Sequence, residues 1–129
     1  MITKYNIFLD DIRVPTDVTW ANIPADQHYS LVRSYKEFVD LITLRGLPKF
    51  VCYDHDLADT HYGHGLNNNE IPYDSYKEKT GYDCAKWLAN YCFDNKFKMC
   101  EYAVHSMNPV GKSNIESLIT SSINREKYS

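Results

Sequence analysis

Short apolar runs, too brief for helices, alternate along the chain with longer stretches whose apolar residues recur at helical spacing. In residues 5–9, Tyr5, Ile7, Phe8 and Leu9 stop at Asp10-Asp11, and Pro15 follows. That pattern reads as a buried strand and then a loop. Residues 29–33 read as a second strand, and Ser34-Tyr35-Lys36-Glu37 as a capping box opening a helix with Phe38, Leu41, Ile42 and Leu44 at helical spacing. Gly46 and Pro48 end it. Residues 50–53 form a third apolar run, cut off by Asp54-His55-Asp56. A second capping box, Thr80-Gly81-Tyr82-Asp83, precedes Cys84, Leu88, Tyr91 and Cys92 on one helical face. Residues 101–104 make the fourth strand; beyond it Asn108 can cap a last helix, with Pro109 in its first turn and Ile115, Leu118, Ile119 and Ile123 as its buried stripe.

Two stretches do not fit this rhythm. Residues 17–27 hold Trp20, Ile23 and Pro24 without a clear period, and read either as a short helix or as an irregular cover. Residues 57–79 are polar and rich in Asn, Gly, His and Tyr; an unstructured stretch of that length in a compact domain is usually functional or mobile, which makes it a lid candidate. The order of elements predicts one α/β domain over residues 1–129, a doubly wound, mostly parallel four-stranded sheet with helices on both faces. In such sheets functional groups gather beyond the carboxyl ends of the strands, where the strand order reverses. Asp10-Asp11, Asp54-His55-Asp56 and His105-Ser106 each lie just past a strand end, so three distant segments are expected to converge on one pocket.

Composition narrows the functional classes. A chain of 129 residues can bury a core without staples, and no apolar run approaches the roughly 20 residues a membrane helix needs. The N-terminal apolar run is too short for a signal peptide, so a cytoplasmic location is expected. Cys52, Cys84, Cys92 and Cys100 form no C-x-x-C pair and read as buried thiols. A formal net charge of −3 argues against holding duplex DNA by broad phosphate neutralisation. It leaves room for a small phosphorylated ligand, given local help from a metal ion, basic side chains or a helix N-terminus.

Carboxylates crowded into one crevice repel unless they are protonated, paired with cations or bound to a metal. A hard divalent ion, Mg²⁺ or Mn²⁺, held by Asp10 or Asp11 together with Asp54 resolves the conflict; alternatively, some of these aspartates only cap turns. His55 and His105, with Asp56 beside them, suit proton transfer near neutral pH, or else are hydrogen-bonded structural histidines. Arg13 could grip a phosphate, Lys112 could add charge, and Ser106 and Asn108 could bind phosphate oxygens, although Asn108 also reads as the helix cap. In the long polar stretch, His61 and His64 have H-x-x-H spacing without cysteine partners, a weak zinc pattern, and Tyr62, Tyr73 and Tyr76 could stack on a base or pin the segment.

Four runs together carry a family likeness: Phe8-Leu9-Asp10-Asp11-Ile12-Arg13-Val14-Pro15, Tyr53-Asp54-His55-Asp56-Leu57, Thr80-Gly81-Tyr82-Asp83 and His105-Ser106-Met107-Asn108-Pro109-Val110-Gly111. In these blocks and their order the chain resembles the cyclic-phosphate processing receiver-like domains, relatives of response-regulator receivers. The resemblance implies a receiver-like, flavodoxin-like sheet whose acidic site handles cyclic phosphates. It matches Asp10 and Asp11 to the metal-binding acidic pair, Asp54 to the phosphoacceptor, and His105 or Ser106 to the Thr or Ser that ends the fourth strand. The fifth-strand lysine of an ordinary receiver has no evident match, which puts aspartyl-phosphate signalling in doubt. The resulting expectation is a metal-dependent phosphoesterase acting on a cyclic nucleotide or a 2′,3′-cyclic phosphate end. The rival is a non-catalytic module that binds a nucleotide or a partner protein.

Overall fold

The computed structural model describes residues 5–21, 23, 28–57 and 79–127. Strands β1 (Asn6–Leu9), β2 (Tyr29–Val32), β3 (Phe50–Tyr53) and β4 (Glu101–Val104) form one sheet in the order β2-β1-β3-β4, parallel throughout. A parallel strand covered on both faces must be apolar along its whole length, and the two central strands answer that demand. Every residue of β1 is buried, as are Val51, Cys52 and Tyr53 of β3, whereas the outer strands expose Leu31 and Glu101.

The helices are α1 (Tyr35–Arg45), α2 (Gly81–Asn95) and α3 (Pro109–Lys127). At α1 the Ser34 hydroxyl accepts from the Glu37 N–H at 3.2 Å, while the Glu37 carboxylate reaches back to the N–H of Arg33, one residue earlier than a closed capping box would have it. The box at α2 does close: Asp83 accepts from the Thr80 N–H at 2.8 Å, and Thr80 accepts from the Asp83 N–H at 3.4 Å. Asn108 caps α3, its side-chain oxygen accepting from the Gly111 N–H at 3.0 Å.

The apolar stripes of all three helices enter a single core. Phe38 and Ile42, Cys84 and Leu88, and Ile115 and Ile119 pack against Ile7, Leu9, Val51 and Tyr53. The opposite face carries Phe8 and Cys52, covered by Val18 with Ala21 and Ile23 from the β1–β2 connection. The doubly wound α/β architecture therefore holds, but among the described residues the α-helices do not cover both faces. Right-handed crossovers place the β2–β3 and β3–β4 connections on one side and the β1–β2 connection, which runs the other way across the sheet, on the second. That connection forms only a three-residue 3-10 turn, Pro15–Asp17, and is otherwise an irregular cover in its described part.

Cys52, Cys84 and Cys92 are buried and Cys100 half-buried, all four as free thiols. Among the described residues no helix is long and apolar enough to cross a membrane. The lid candidate lies outside the described residues except at its ends, as do His61, His64, Tyr62, Tyr73 and Tyr76.

Candidate metal and phosphate site

The strand register builds the site. Phe8 pairs with Cys52, and Cys52 with Ala103, one step before the strands end. The ladder then runs slightly past the strands: the Asp10 N–H donates to the Val32 carbonyl at 3.0 Å, that of Asp54 to Leu9 at 2.9 Å, and that of His105 to Tyr53 at 2.9 Å. Asp10, Asp54 and His105 thus occupy one transverse row across β1, β3 and β4. Because strand side chains alternate, they return to the Phe8 face. The His105 ring accordingly stacks on Phe8, with centroids 4.6 Å apart and planes inclined by 10°.

One potential ligand atom from each of these three residues lies within 4.8 Å of the other two. His105 Nε2 is 2.9 Å from Asp10 Oδ2, and its Nδ1 is 2.9 Å from the Cys52 sulfur. Asp10 Oδ1 accepts from the N–H groups of Ile12 and Arg13 at 3.0 and 2.9 Å, folding the chain after β1 into a turn around its own carboxylate. Asp54 is satisfied on one side only. Its Oδ1 accepts from the His55 N–H at 2.8 Å, while Oδ2 is buried with no hydrogen-bond partner among the described residues.

The two carboxyl groups of the row are driven in opposite directions. Burial works to raise the pKa of Asp10, but the His105 hydrogen bond and the N–H groups of Arg13 and Ile12 outweigh it and hold the group below the ordinary value. For Asp54, burial is reinforced by the charge of Asp10, and the His55 N–H cannot compensate once Asp56 and Asp11 add theirs; its pKa is pushed up to about 8. Burial with the Asp10 and Asp54 charges also pushes the Cys52 thiol up to about 12, so it stays protonated. When the imidazole is neutral, the thiol donates to Nδ1 and the ring proton sits on Nε2, facing Asp10. A buried, unpartnered carboxylate oxygen beside a second carboxylate and an imidazole is a donor set that fits a divalent cation.

A second carboxylate–imidazole pair lies on the helix side of the sheet. His55 Nδ1 is 2.7 Å from Asp56 Oδ1, and Asn108 Nδ2 donates to the same oxygen at 3.3 Å. The His55 ring is fully buried beneath Gly111; a Cβ there would collide with the imidazole. Gly81 answers a similar constraint, since a Cβ at that position would run into the Asp54 carbonyl where the start of α2 meets the end of β3. The Gly81 N–H donates to the His55 carbonyl at 2.8 Å, fastening that junction.

The other sequence candidates spread around the row. Arg13 approaches Asp10 Oδ2 at 3.9 Å and lies 5.0 Å from the centroid of the Trp20 ring. Asp11 is half-buried and outside the group of three, although its charge reaches Asp54. Ser106 is buried and accepts from the Asn108 N–H at 3.1 Å. Both side-chain polar atoms of Asn108 are engaged, with Gly111 and with Asp56, and Lys112 is exposed on the first turns of α3. Three contributors were not singled out from the sequence. Arg33 donates to the carbonyls of Asp10 at 3.1 Å and of Arg13, clamping the turn; Trp20 donates its ring N–H to the His105 carbonyl; and Cys52 contacts His105. Arg33 and Trp20 carry no local pattern, while Cys52 could have been found from the register, two residues before Asp54.

A family model described as Cyclic-phosphate processing Receiver domain matches residues 5–121. No curated protein and no solved structure matches the chain.

Proposed function

Since the chain belongs to the cyclic-phosphate processing Receiver domain family, we propose that it is a metal-dependent phosphoesterase that opens a cyclic phosphate ester. The observation that carries this reading is the unpartnered, buried Asp54 Oδ2 grouped with Asp10 and His105. Asp10, Asp54 and His105 would hold the ion. Two carboxylates with one imidazole suit Mn²⁺ better than Mg²⁺, which prefers oxygen alone. When bound, the ion would supply Lewis-acid polarisation of the phosphoryl group.

In this reading His105 is a ligand in place of the proton carrier expected from the sequence, because its ring is fully buried and both nitrogens face buried partners, Asp10 and Cys52. With the ion held, the ring proton would sit on Nδ1 and point at the Cys52 sulfur, which leaves the Nε2 lone pair for the ion and keeps the ring plane fixed. Asp11, half-buried beside the row, would take the proton of the attacking water. The water oxygen bonds to phosphorus, the ring P–O bond breaks, and that proton passes to the departing oxygen. Arg13 would bind the phosphate and offset its growing charge. His55, Asp56 and Asn108 would hold β3 and α3 together and take no part in the chemistry.

Incubation with nucleoside 2′,3′-cyclic phosphates, 3′,5′-cyclic nucleotides and glycerol 1,2-cyclic phosphate, in Mn²⁺ or Mg²⁺ and again in chelator, tests the proposal. Metal-dependent appearance of a phosphomonoester is the expected result. Binding without turnover across the panel would support a non-catalytic module.

A further inference from the structure

We propose that the organic part of the substrate is a nucleobase, and that Trp20 is the surface on which it stacks. The inference deepens the cyclic-phosphate reading and rests on it. The protein has two tryptophans with opposite surroundings. Trp87 belongs to the packing of the helix side, with ring centroids 5.2 Å from Tyr91 and 6.3 Å from Phe38. Trp20 remains 41% exposed, yet it is held in place at the site: its ring N–H donates to the backbone carbonyl of His105. A single exposed aromatic residue needs no explanation. This one is not single. Met107, two residues past His105, is 63% exposed, and Ile12, two residues past Asp10, is 70% exposed, so the two loops that present the donor row also present apolar surface to solvent.

Arg13 joins the two chemistries. Its guanidinium lies 3.9 Å from Asp10 Oδ2, 3.8 Å from the Met107 sulfur and 5.0 Å from the Trp20 ring centroid. A cation placed between a carboxylate row and a tethered indole fits a ligand with an anionic group at one end and a flat, polarisable ring at the other. A nucleoside cyclic phosphate has that form. A polyol cyclic phosphate would meet the arginine but leave the apolar rim bare. Stacking accepts any base, because every base offers a π-face, so the rim predicts preference for nucleotides as a class without choosing among them.

Calorimetry with adenosine 2′,3′-cyclic phosphate and with glycerol 1,2-cyclic phosphate, in Mn²⁺, provides the test on the wild type, Trp20→Ala and Trp20→Phe. The nucleotide is expected to bind the wild type roughly 5- to 150-fold more tightly, as the loss of one base–aromatic stack would convert. Trp20→Ala should close most of that gap without weakening glycerol cyclic phosphate, and Trp20→Phe should restore much of it. In the unaltered protein, the nucleotide should also shield the exposed tryptophan from acrylamide quenching while the glycerol ester does not, a readout that survives even if Trp20→Ala fails to fold. Equal affinities in the wild type, a gap that persists in Trp20→Ala, or no shielding would overturn the proposal. Absence of turnover with the affinity gap intact would strike the phosphoesterase reading alone.

Discussion

Two carboxylate–imidazole pairs stand at the same end of this sheet, one on each face. Asp10–His105 and Asp56–His55 have nearly equal separations, 2.9 and 2.7 Å, and both imidazoles are fully buried. Their surroundings separate them. Around Asp56 and His55 the contacts close on protein: Asn108 donates to the carboxylate, and Gly111 is shaped to admit the ring. Beside Asp10 and His105 stands a carboxyl group with an oxygen that no described residue satisfies and a pKa raised to about 8. Residue type and spacing are therefore a poor guide to chemistry on their own; what distinguishes the pairs is whether the neighbouring polar atoms find partners inside the protein.

The largest effects should come from breaking the open pair and leaving the closed one intact. His105→Ala is expected to weaken Mn²⁺ binding by more than about 100-fold, beyond the 10- to 100-fold typical of outer-shell changes, and to lower turnover in parallel. His55→Ala should instead lower the melting temperature, costing roughly 2–4 kcal/mol for a truncated buried ring, while the folded fraction keeps its Mn²⁺ affinity. Calorimetry and thermal melts of both variants read the contrast. Loss of metal binding in His55→Ala with stability unchanged would reverse the assignment.

Asp54→Asn should abolish metal binding and yet stabilise the metal-free protein above about pH 4, because a neutral amide avoids the cost of either holding a proton that the unfolded chain gives up or ionising in a buried place. The sign follows from the raised pKa. Between about pH 4 and about pH 8 the unfolded chain releases a proton that folded Asp54 retains, so metal-free stability contributed by this group falls as pH rises through that window and levels off above it. Asp10 acts in the opposite sense: its lowered pKa contributes stability that is lost as pH falls below the ordinary carboxylate value. Melting temperature against pH, without metal, should show a fall toward pH 8 that Asp54→Asn flattens.

Smaller effects sharpen the closed side. Gly111→Ala should cost roughly 1–3 kcal/mol by overpacking against His55, and in the His55→Ala background that cost should shrink, a coupling readable from a double-mutant cycle in denaturant. Asn108→Ala should cost about 1 kcal/mol through the lost α3 cap, with more where Asp56 loses its donor.

Much of this arrangement was legible from the sequence because parallel strands are short, apolar and abruptly ended. The polar run after each strand marks its carboxyl end, and a common register brings Asp10, Asp54 and His105 into one row. The face each side chain would take was not legible. His55 and His105 both follow a strand, but they fall on opposite sides because His55 is one residue further along the register than Asp54, which His105 matches. Among the described residues the helices gather on one face because the described part of the β1–β2 connection, where a helix was one of two readings, forms only a short turn and an irregular cover. Arg33 and Trp20 reach the site from an edge strand and a loop, and no periodic pattern marks either.

The central claim, that the row is a cation site, is tested most directly by titrating Mn²⁺ into the metal-free protein near pH 7 in two buffers of different ionisation enthalpy. A single site that releases close to one proton, from Asp54, and that vanishes in both Asp10→Asn and Asp54→Asn is the predicted result. Absence of Mn²⁺ binding, or binding that survives both substitutions, would contradict it.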